Sequence, residues 1–461
     1  MGAQQSIFPE YEESRVNQIE APLQSHHHTV DQLFSGNIHP DRLPLDAEFH
    51  SRPPLPLYGP TRVSHLAFLH DAAGGARFLK HLSDLLADGK WRTVESSEAY
   101  RLLEREGVRV RCELHTEFSS YTFFRPTDAA AGADDTALNA LPADWLKAAP
   151  GQLVIATHID LASAKTIEPE EKIAELSRHG RQAVVARVVD GLAYAFTDFQ
   201  IVDGASNFLL IDCGLTPRQA GRTVQRLWEI ETYRVMALLG LPVAKEIAFR
   251  LRGAEEQLAN LMDRICSTGS VDDENEVLDE LTKLAAEVEH SVARTSFRFS
   301  ASRAYESIVL QRVGELRETR VMGFPTFREI IDRRMMPPMN TCAAMARRQD
   351  ELSGRVARNS QLLRTRVDLA LKRQNQQVLV QMNQRARSQL QLQETVEGLS
   401  IVAITYYGSQ LVHYLAEGAH EYWKAISPGL ITAISIPVIA IAVAMSLRHL
   451  RKRLENVAPE I

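Results

Sequence analysis

The spacing of apolar residues changes character along the chain, and each change marks a new kind of element. Between residues 62 and 212, short alternating runs give way repeatedly to segments with helical spacing. The pattern predicts strands over 62–69, 108–115, 117–124, 183–189, 193–198 and 206–212, and helices near 75–87, 94–105, 142–148 and 168–178. Turn sequences around Thr116 and at Asp190-Gly191 join neighbouring strands as hairpins, so the expected sheet is mixed with antiparallel pairs. At Leu215-Thr216-Pro217 the period becomes helical: Thr216 is suited to cap, and Pro217 fits the first helical position. Helices are predicted near 217–239, 243–268, 273–296, 300–322 and 326–335, followed by one very long element from Pro338.

That last element carries a narrow apolar seam. Leu352, Val356, Leu363, Val367, Leu371, Val378, Met382, then Gln389, Leu392, Val396, Leu399 and Ala403 recur at threes, fours and sevens, as coiled-coil seams do. A helix from 338 to 416 would be roughly 120 Å long at 1.5 Å per residue, which predicts self-association along the seam. The chain then loses its charges. Leu399–Ala416 and Ile426–Leu447 contain no Asp, Glu, Lys or Arg, and two such runs predict a helical hairpin across a bilayer whose core is about 30 Å thick. The expected fold is therefore an α+β cytoplasmic domain with a mixed sheet, a long-helix stem and a C-terminal two-helix transmembrane hairpin. Its segments are a polar tail (1–40), the α/β domain (41–215), a helical region (216–337), the stem (338–398), the hairpin (399–447, with spans 399–416 and 426–447) and a basic tail (448–461).

Composition narrows the function classes. A chain of 461 residues with 45% apolar and 24% charged residues is neither disordered nor a many-span transporter. Its formal charge of -6 speaks against nucleic acid as a partner. Charge is also segregated: eleven acidic residues stand between Ala254 and His290 against Arg264 and Lys283, whereas eight basic residues stand between Arg355 and Arg387 against Asp368 alone. Opposite blocks of this kind can fold the acidic helices back along the basic stem. The four cysteines, at 112, 213, 266 and 342, show no CxxC spacing and suggest scattered thiols rather than a zinc site or disulfide framework. Met1–Glu10 lacks the basic start and apolar core of a secretory signal. Arg448, Arg451, Lys452 and Arg453 follow the second span, which places both termini in the cytoplasm and only Glu417–Ala425 outside.

No phosphate-loop, nucleophile-elbow or HExxH motif occurs, so candidate chemistry rests on clusters. Glu48, His50 and Arg52, with Arg62 and His65, would suit acid–base work on an anion. The structural alternative pairs Glu48 with Arg52 on one helical turn and hydrogen-bonds His50 and His65 where the connector meets the sheet. Glu417, His420 and Glu421 fall on one helical face and could bind a divalent cation, the only cofactor suggested. They could equally be ordinary polar residues of a short outer loop. Thr405, Ser409, Gln410 and His413 are polar positions inside the first span, suited to a pore or to helix packing. Ten Gln or Asn residues between Gln374 and Gln393 would ring a shared axis in a helical bundle.

Two resemblances follow from these residues. The pairing of Glu48-x-His50-x-Arg52-Pro53 with Pro60-x-Arg62-Val63-Ser64-His65 resembles a bacterial family of uncharacterised membrane-anchored proteins with a domain of unknown function. It implies a bacterial inner-membrane location and no particular activity. The layout over roughly 62–453 is similar to that of CorA-type magnesium channels, which implies a homo-oligomer around the first span and cation transport or sensing. The Gly-Met-Asn signature of those channels is absent, and Tyr414–Trp423 stands in its place. The alternative is a membrane-anchored scaffold or ligand-binding module without transport. The bilayer and further copies of the chain are the partners expected, and an enzymatic role has the weakest support.

Overall fold

A computed structural model describes residues 34, 36–50, 53–71, 73–87, 89–97, 99–127, 135–179, 183–267, 271–420 and 427–455. The chain forms two compact units: one runs up to Phe249 and includes Val292–Arg348, and the other comprises Arg250–Ser291 and the chain from Gln349 onward.

The first unit is built on a ten-stranded mixed sheet. Its strands are β1 (Thr61–Leu69), β2 (Arg92–Ser96), β3 (Tyr100–Arg105), β4 (Val108–Leu114), β5 (Phe118–Pro126), β6 (Gln152–Ser163), β7 (Val184–Val188), β8 (Ala193–Val202), β9 (Ala205–Asp212) and β10 (Thr319–Arg320). They lie in the order β10-β7-β8-β9-β6-β1-β5-β4-β3-β2. β6 and β9 pair in parallel, and every other neighbouring pair is antiparallel. Ahead of the sheet comes α1 (Arg42–His50); α2 (Gly74–Leu86), α3 (Ala143–Lys147) and α4 (Pro169–His179) are interleaved with the strands.

Two differences from the predicted elements have clear causes. Residues 94–105 form the β2–β3 hairpin and not a helix. Tyr-Arg-Leu-Leu-Glu-Arg suits either state, and an open sheet edge beside β4 decides it, burying Leu102 and Leu103 on opposite faces. β6 was not among the predicted strands, although Val154, Ala156, His158 and Asp160 alternate with Ile155, Thr157, Ile159 and Leu161 as a strand requires. It lies between β1 and β9 near the centre of the sheet.

Each sheet face has its own core. On one side, Phe78, Leu82 and Leu85 of α2 recur at helical spacing and pack on Leu66, Phe68, Val110, Cys112, Tyr121 and Phe123. On the other side lies α5 (Pro217–Leu238), begun by a capping box between Thr216 and Gln219 with Pro217 in the first turn. Its Val224, Leu227 and Trp228 pack over Val63, Phe124, Ile159 and Leu210. The connector Leu55–Leu57 crosses α5 at Gly221, where any Cβ would run into the Leu55 carbonyl; the Leu57 amide donates to the Pro217 carbonyl at 3.0 Å.

Five further helices follow among the described residues: α6 (Gly240–Ser267), α7 (Val271–Glu315), α8 (Phe327–Arg334), α9 (Met336–His420) and α10 (Pro428–Glu455). The predicted helix over 273–296 and the part of that over 300–322 up to Glu315 are a single helix, α7, because no glycine or proline interrupts it before Gly314; beyond it Thr319–Arg320 is strand β10 and not helix.

The second unit opens as a helical bundle. Leu251, Leu258 and Leu261 of α6, Val277, Leu281, Leu284 and Val288 of α7, and Leu352, Val356, Leu363 and Val367 of α9 are all buried. Polar contacts tie the helices together: Gln349 donates to Ser291 at 2.9 Å, and Arg366 sits 2.6 Å from Glu274. The acidic helix therefore does lie along the basic stem. The first half of the seam, expected to meet another chain, is covered by the chain's own α6 and α7. From residue 368 to 396 almost every described side chain of α9 is exposed.

Past that stretch, α9 and α10 run antiparallel. Gly408 faces Ile439, and the His413 ring is 3.0 Å from the Thr432 hydroxyl. Among the described residues one helix is long and apolar enough to cross a membrane: Pro428–His449, with a mean hydropathy of 2.4. The first predicted span, Leu399–Ala416, carries too many polar groups to meet the same standard by itself.

Candidate functional site

The residues singled out in the sequence do not converge on one place. Glu48 and His50 lie on α1, of which the backbone is described, and Arg52 lies outside the described residues. Arg62 and His65, three positions apart on β1, point to opposite faces of the sheet. Arg62 belongs to an ion cluster, 3.4 Å from Asp135 and 3.6 Å from Asp160, with Arg125 on the other side of Asp135. Of the outer-loop set, Glu417 is exposed near the end of α9, the His420 side chain is not among those described, and Glu421 lies outside the described residues. In the hairpin, Ser409 is buried, Gln410 is half-buried, and Thr405 has a buried hydroxyl with no partner among the described residues.

His65 leads to a different site. It belongs to a row of polar side chains running across five strands, in register, on the sheet face that α5 covers. Ser206 on β9 pairs with Thr157 on β6, Thr157 with His65 on β1, His65 with Thr122 on β5, and Thr122 with Arg111 on β4. All five are buried. The neighbouring register adds Ser120 and Glu113, paired between β5 and β4. A buried polar row needs partners, since each lost water contact must be replaced. Most are in place: Thr157 to Ser206 at 3.1 Å, His65 Nδ1 to Thr122 at 2.8 Å, and Arg111 to Glu113 at 2.9 Å.

Above this row is a cleft of about 250 Å³, lined by His65, Arg111, Glu113, His115, Phe118 and Ser120 from the sheet side. Helix α5 contributes Gln225, Trp228, Glu229, Thr232 and Tyr233, and α7 contributes Arg312. Spacings of three and four place the α5 residues on one helical face. Arg111, only 1% exposed, is held from several directions. It bonds Glu113, reaches the Gln225 side chain at 3.3 Å and the Pro53 carbonyl at 3.4 Å, and stands over the rings of Tyr100 and Trp228. Arg312 is paired with Glu229 and, at 2.9 Å, with Glu315.

Electrostatics follow from burial and pairing. Burial pushes the Glu113 carboxyl up, but the neighbouring Arg111 outweighs it and the group sits below its ordinary value. Burial likewise lowers Arg111, and Glu113 more than compensates, so the guanidinium is held charged. Burial dominates at His65, which is pushed down to about 3 and is neutral at physiological pH. Its ring stacks on Trp228 at 5.7 Å. Each carboxylate in the cleft is thus matched by a guanidinium, Glu113 by Arg111 and Glu229 by Arg312, with a neutral imidazole between the sheet and α5.

Two uncharged cleft atoms, His65 Nε2 and Thr232 Oγ1, are buried and have no hydrogen-bond partner among the described residues; Arg111 Nε is likewise unbonded, but its guanidinium is engaged through its other two nitrogens. His65 is 2% exposed and Thr232 3%. Leaving such groups unsatisfied is costly, and native structures keep few of them without a reason. Of the cleft lining only His65 was singled out from sequence. Arg111 and Glu113 alternate with Val110 and Cys112 and so resemble the solvent side of an amphipathic strand. The polar and aromatic stripe of α5, at 225, 228, 229, 232 and 233, was the signal that could have identified the cover.

Among known proteins, a family model described as Protein of unknown function (DUF3422) matches residues 37–454. No curated protein and no solved structure matches the chain.

Proposed function

We propose that this chain, which belongs to the DUF3422 family, is a membrane-attached, self-associating protein whose C-terminal hairpin is an anchor and whose α/β unit is the working part. The reading is carried by α9. Its seam is covered within the chain as far as Val367, but Leu371, Val378, Met382, Leu392, Val396 and Leu399 are each 44% to 74% exposed. From 368 to 399 this is roughly 48 Å of helix at 1.5 Å per residue, and a helix with no tertiary support is marginal in water. Parallel copies held by the same membrane would cover that face. In this reading both α10 and the end of α9 cross a bacterial inner membrane, with the basic tail retained inside.

Two measurements test it on the full-length protein. Alkaline extraction of membranes should leave the protein in the pellet, and removing residues 427–461 should release it. Native mass measurement in detergent should give more than one copy, and Val378→Lys with Leu392→Lys should shift the particle toward the monomer. A wild-type protein that is extracted at high pH and is monomeric at every concentration refutes the proposal.

Cation passage along a bundle of α9 helices is a second reading, favoured by the Thr405 hydroxyl within the polar run, which has no partner among the described residues. The anchor reading is better supported because Gly408 and His413 are engaged by α10 of the same chain. Magnesium or cobalt flux into liposomes, abolished by Thr405→Val, would favour passage. A divalent ion at Glu417, His420 and Glu421 belongs to that reading, and loss of flux in Glu417→Gln would support it.

A further inference from the structure

We propose that the cleft between the sheet and α5 is a binding site for a small uncharged molecule carrying an amide or lactam edge. This goes beyond membrane attachment and self-association and depends on neither. Three observations select the ligand class. The first is charge: Arg111 with Glu113, and Arg312 with Glu229, are matched pairs, so the cleft has two positive and two negative groups already engaged. An anion or cation entering would lose its hydration and gain a counter-charge only by breaking a pair, which leaves the displaced partner buried and uncompensated. A neutral molecule meets no such barrier.

The second is hydrogen bonding. The uncharged lining atoms that lack partners among the described residues are His65 Nε2 and Thr232 Oγ1; Arg111 Nε lacks one too, but that guanidinium is already engaged by Glu113, Gln225 and the Pro53 carbonyl. Both are uncharged, since His65 is held neutral, and both belong to groups that can donate or accept. One lies on the sheet and one on the helix, so a ligand satisfying both bridges the two layers. An amide or lactam edge offers a donor and an acceptor side by side, which lets either tautomer of His65 be matched. The third is shape. Aromatic rings are stacked in the lining, His65 on Trp228 and His115 on Phe118 at 4.1 Å, which suits a flat molecule. A cleft volume of about 250 Å³ is in the range that a small molecule fills.

Matched probes on the full-length protein in detergent test the class directly. Acetamide, acetate and ethylammonium form one set; nicotinamide, nicotinate and 3-pyridylmethylammonium form another on an aromatic frame. Saturation-transfer NMR and thermal shift should detect at least one amide, bound about tenfold or more tighter than either ion of its set. Thr232→Val should weaken that amide by about tenfold, because it removes one bridging group while leaving the fold intact. His65→Phe, read the same way, supplies the second side of the bridge. If the ions bind as tightly as the amide, the ligand class is wrong. If the amide binds equally well to both variants, the site is wrong. If neither amide binds up to about 10 mM, a range weak fragments should reach, the proposal as a whole is overturned.

Discussion

Replacing Thr232 by valine should make the protein more stable, the reverse of what removing a buried hydroxyl usually does. Thr232 is 3% exposed, and its hydroxyl has no partner among the described residues. A polar group in that condition costs about 1–3 kcal/mol of desolvation that no hydrogen bond returns. Valine has nearly the same shape and a similar helix propensity, so a change at this position isolates the hydroxyl. We expect a gain of about 1–2 kcal/mol, which for a protein of 461 residues is a rise of roughly 1–2 °C in Tm. The same helix supplies its own control. Thr223 is fully buried, but its hydroxyl donates to the Gln219 carbonyl at 2.8 Å, so Thr223→Val should lose about 1 kcal/mol. Thermal unfolding of the two variants beside the parent, in one detergent and at one pH, decides the matter. If Thr232→Val is destabilised as much as Thr223→Val, the hydroxyl is a satisfied structural group and the ligand argument built on it falls.

The pairing and burial of other groups make further outcomes measurable. His65 is neutral in the folded protein down to about 3, against an ordinary 6.5. Below pH 6.5 the unfolded chain therefore binds a proton that the folded one refuses. Its stability contribution is complete above pH 6.5 and declines as pH falls, by about 1.4 kcal/mol per unit or about 2 kcal/mol by pH 5; urea titrations should show a shallower acid slope for His65→Phe, and an unchanged slope contradicts the burial argument. Arg111→Met alone should cost about 3–5 kcal/mol because it strands Glu113, whereas Arg111→Met with Glu113→Leu should recover most of that, measured by denaturant unfolding. Gly221→Ala should destabilise by about 1–3 kcal/mol despite alanine's better helix propensity, because the new Cβ meets the Leu55 carbonyl; a gain in Tm would show that the connector does not cross α5 so closely. In the helical bundle, Leu363→Ala should cost about 2–4 kcal/mol. Glu274→Gln should cost under about 1 kcal/mol, since its partner Arg366 is half-exposed.

Why the long helices and most strands were legible, and the cleft was not, is a question of which physical signals survive in one dimension. Period is local: the capping box at Thr216, the apolar stripe of α2 and the uncharged runs near the C-terminus each depend on residues within a few turns. Residues 94–105 show the limit of that signal, because their strand state is decided by the free edge of β4, a partner the segment itself does not encode. The seam of α9 misled in the opposite direction. Its spacing was real as far as Val367, but spacing says that a face will be covered and not by which helix. The opposite charges of α7 and α9 carried that missing information.

The cleft is the extreme case. Strand alternation assigns Arg109, Arg111 and Glu113 to a wet face, and it would be right if the sheet had only α2 packed on it. A second helix layer, α5, turns that face inward and makes a polar row out of side chains that are unremarkable one by one. Thr122, Thr157 and Ser206 are ordinary strand residues until register puts them beside His65. The row is also what makes the cleft specific. An apolar row would pack α5 onto the sheet as tightly as Val63, Phe124 and Ile159 do in the neighbouring register, whereas a polar one holds the layers together through hydrogen bonds and leaves two uncharged groups over, His65 Nε2 of the row and Thr232 Oγ1 of α5. Those two groups lie on opposite layers, so a molecule satisfying both ties α5 to the sheet. Its binding should therefore protect the amides of α5 and β1 from hydrogen exchange together, more than those of α2 on the far face.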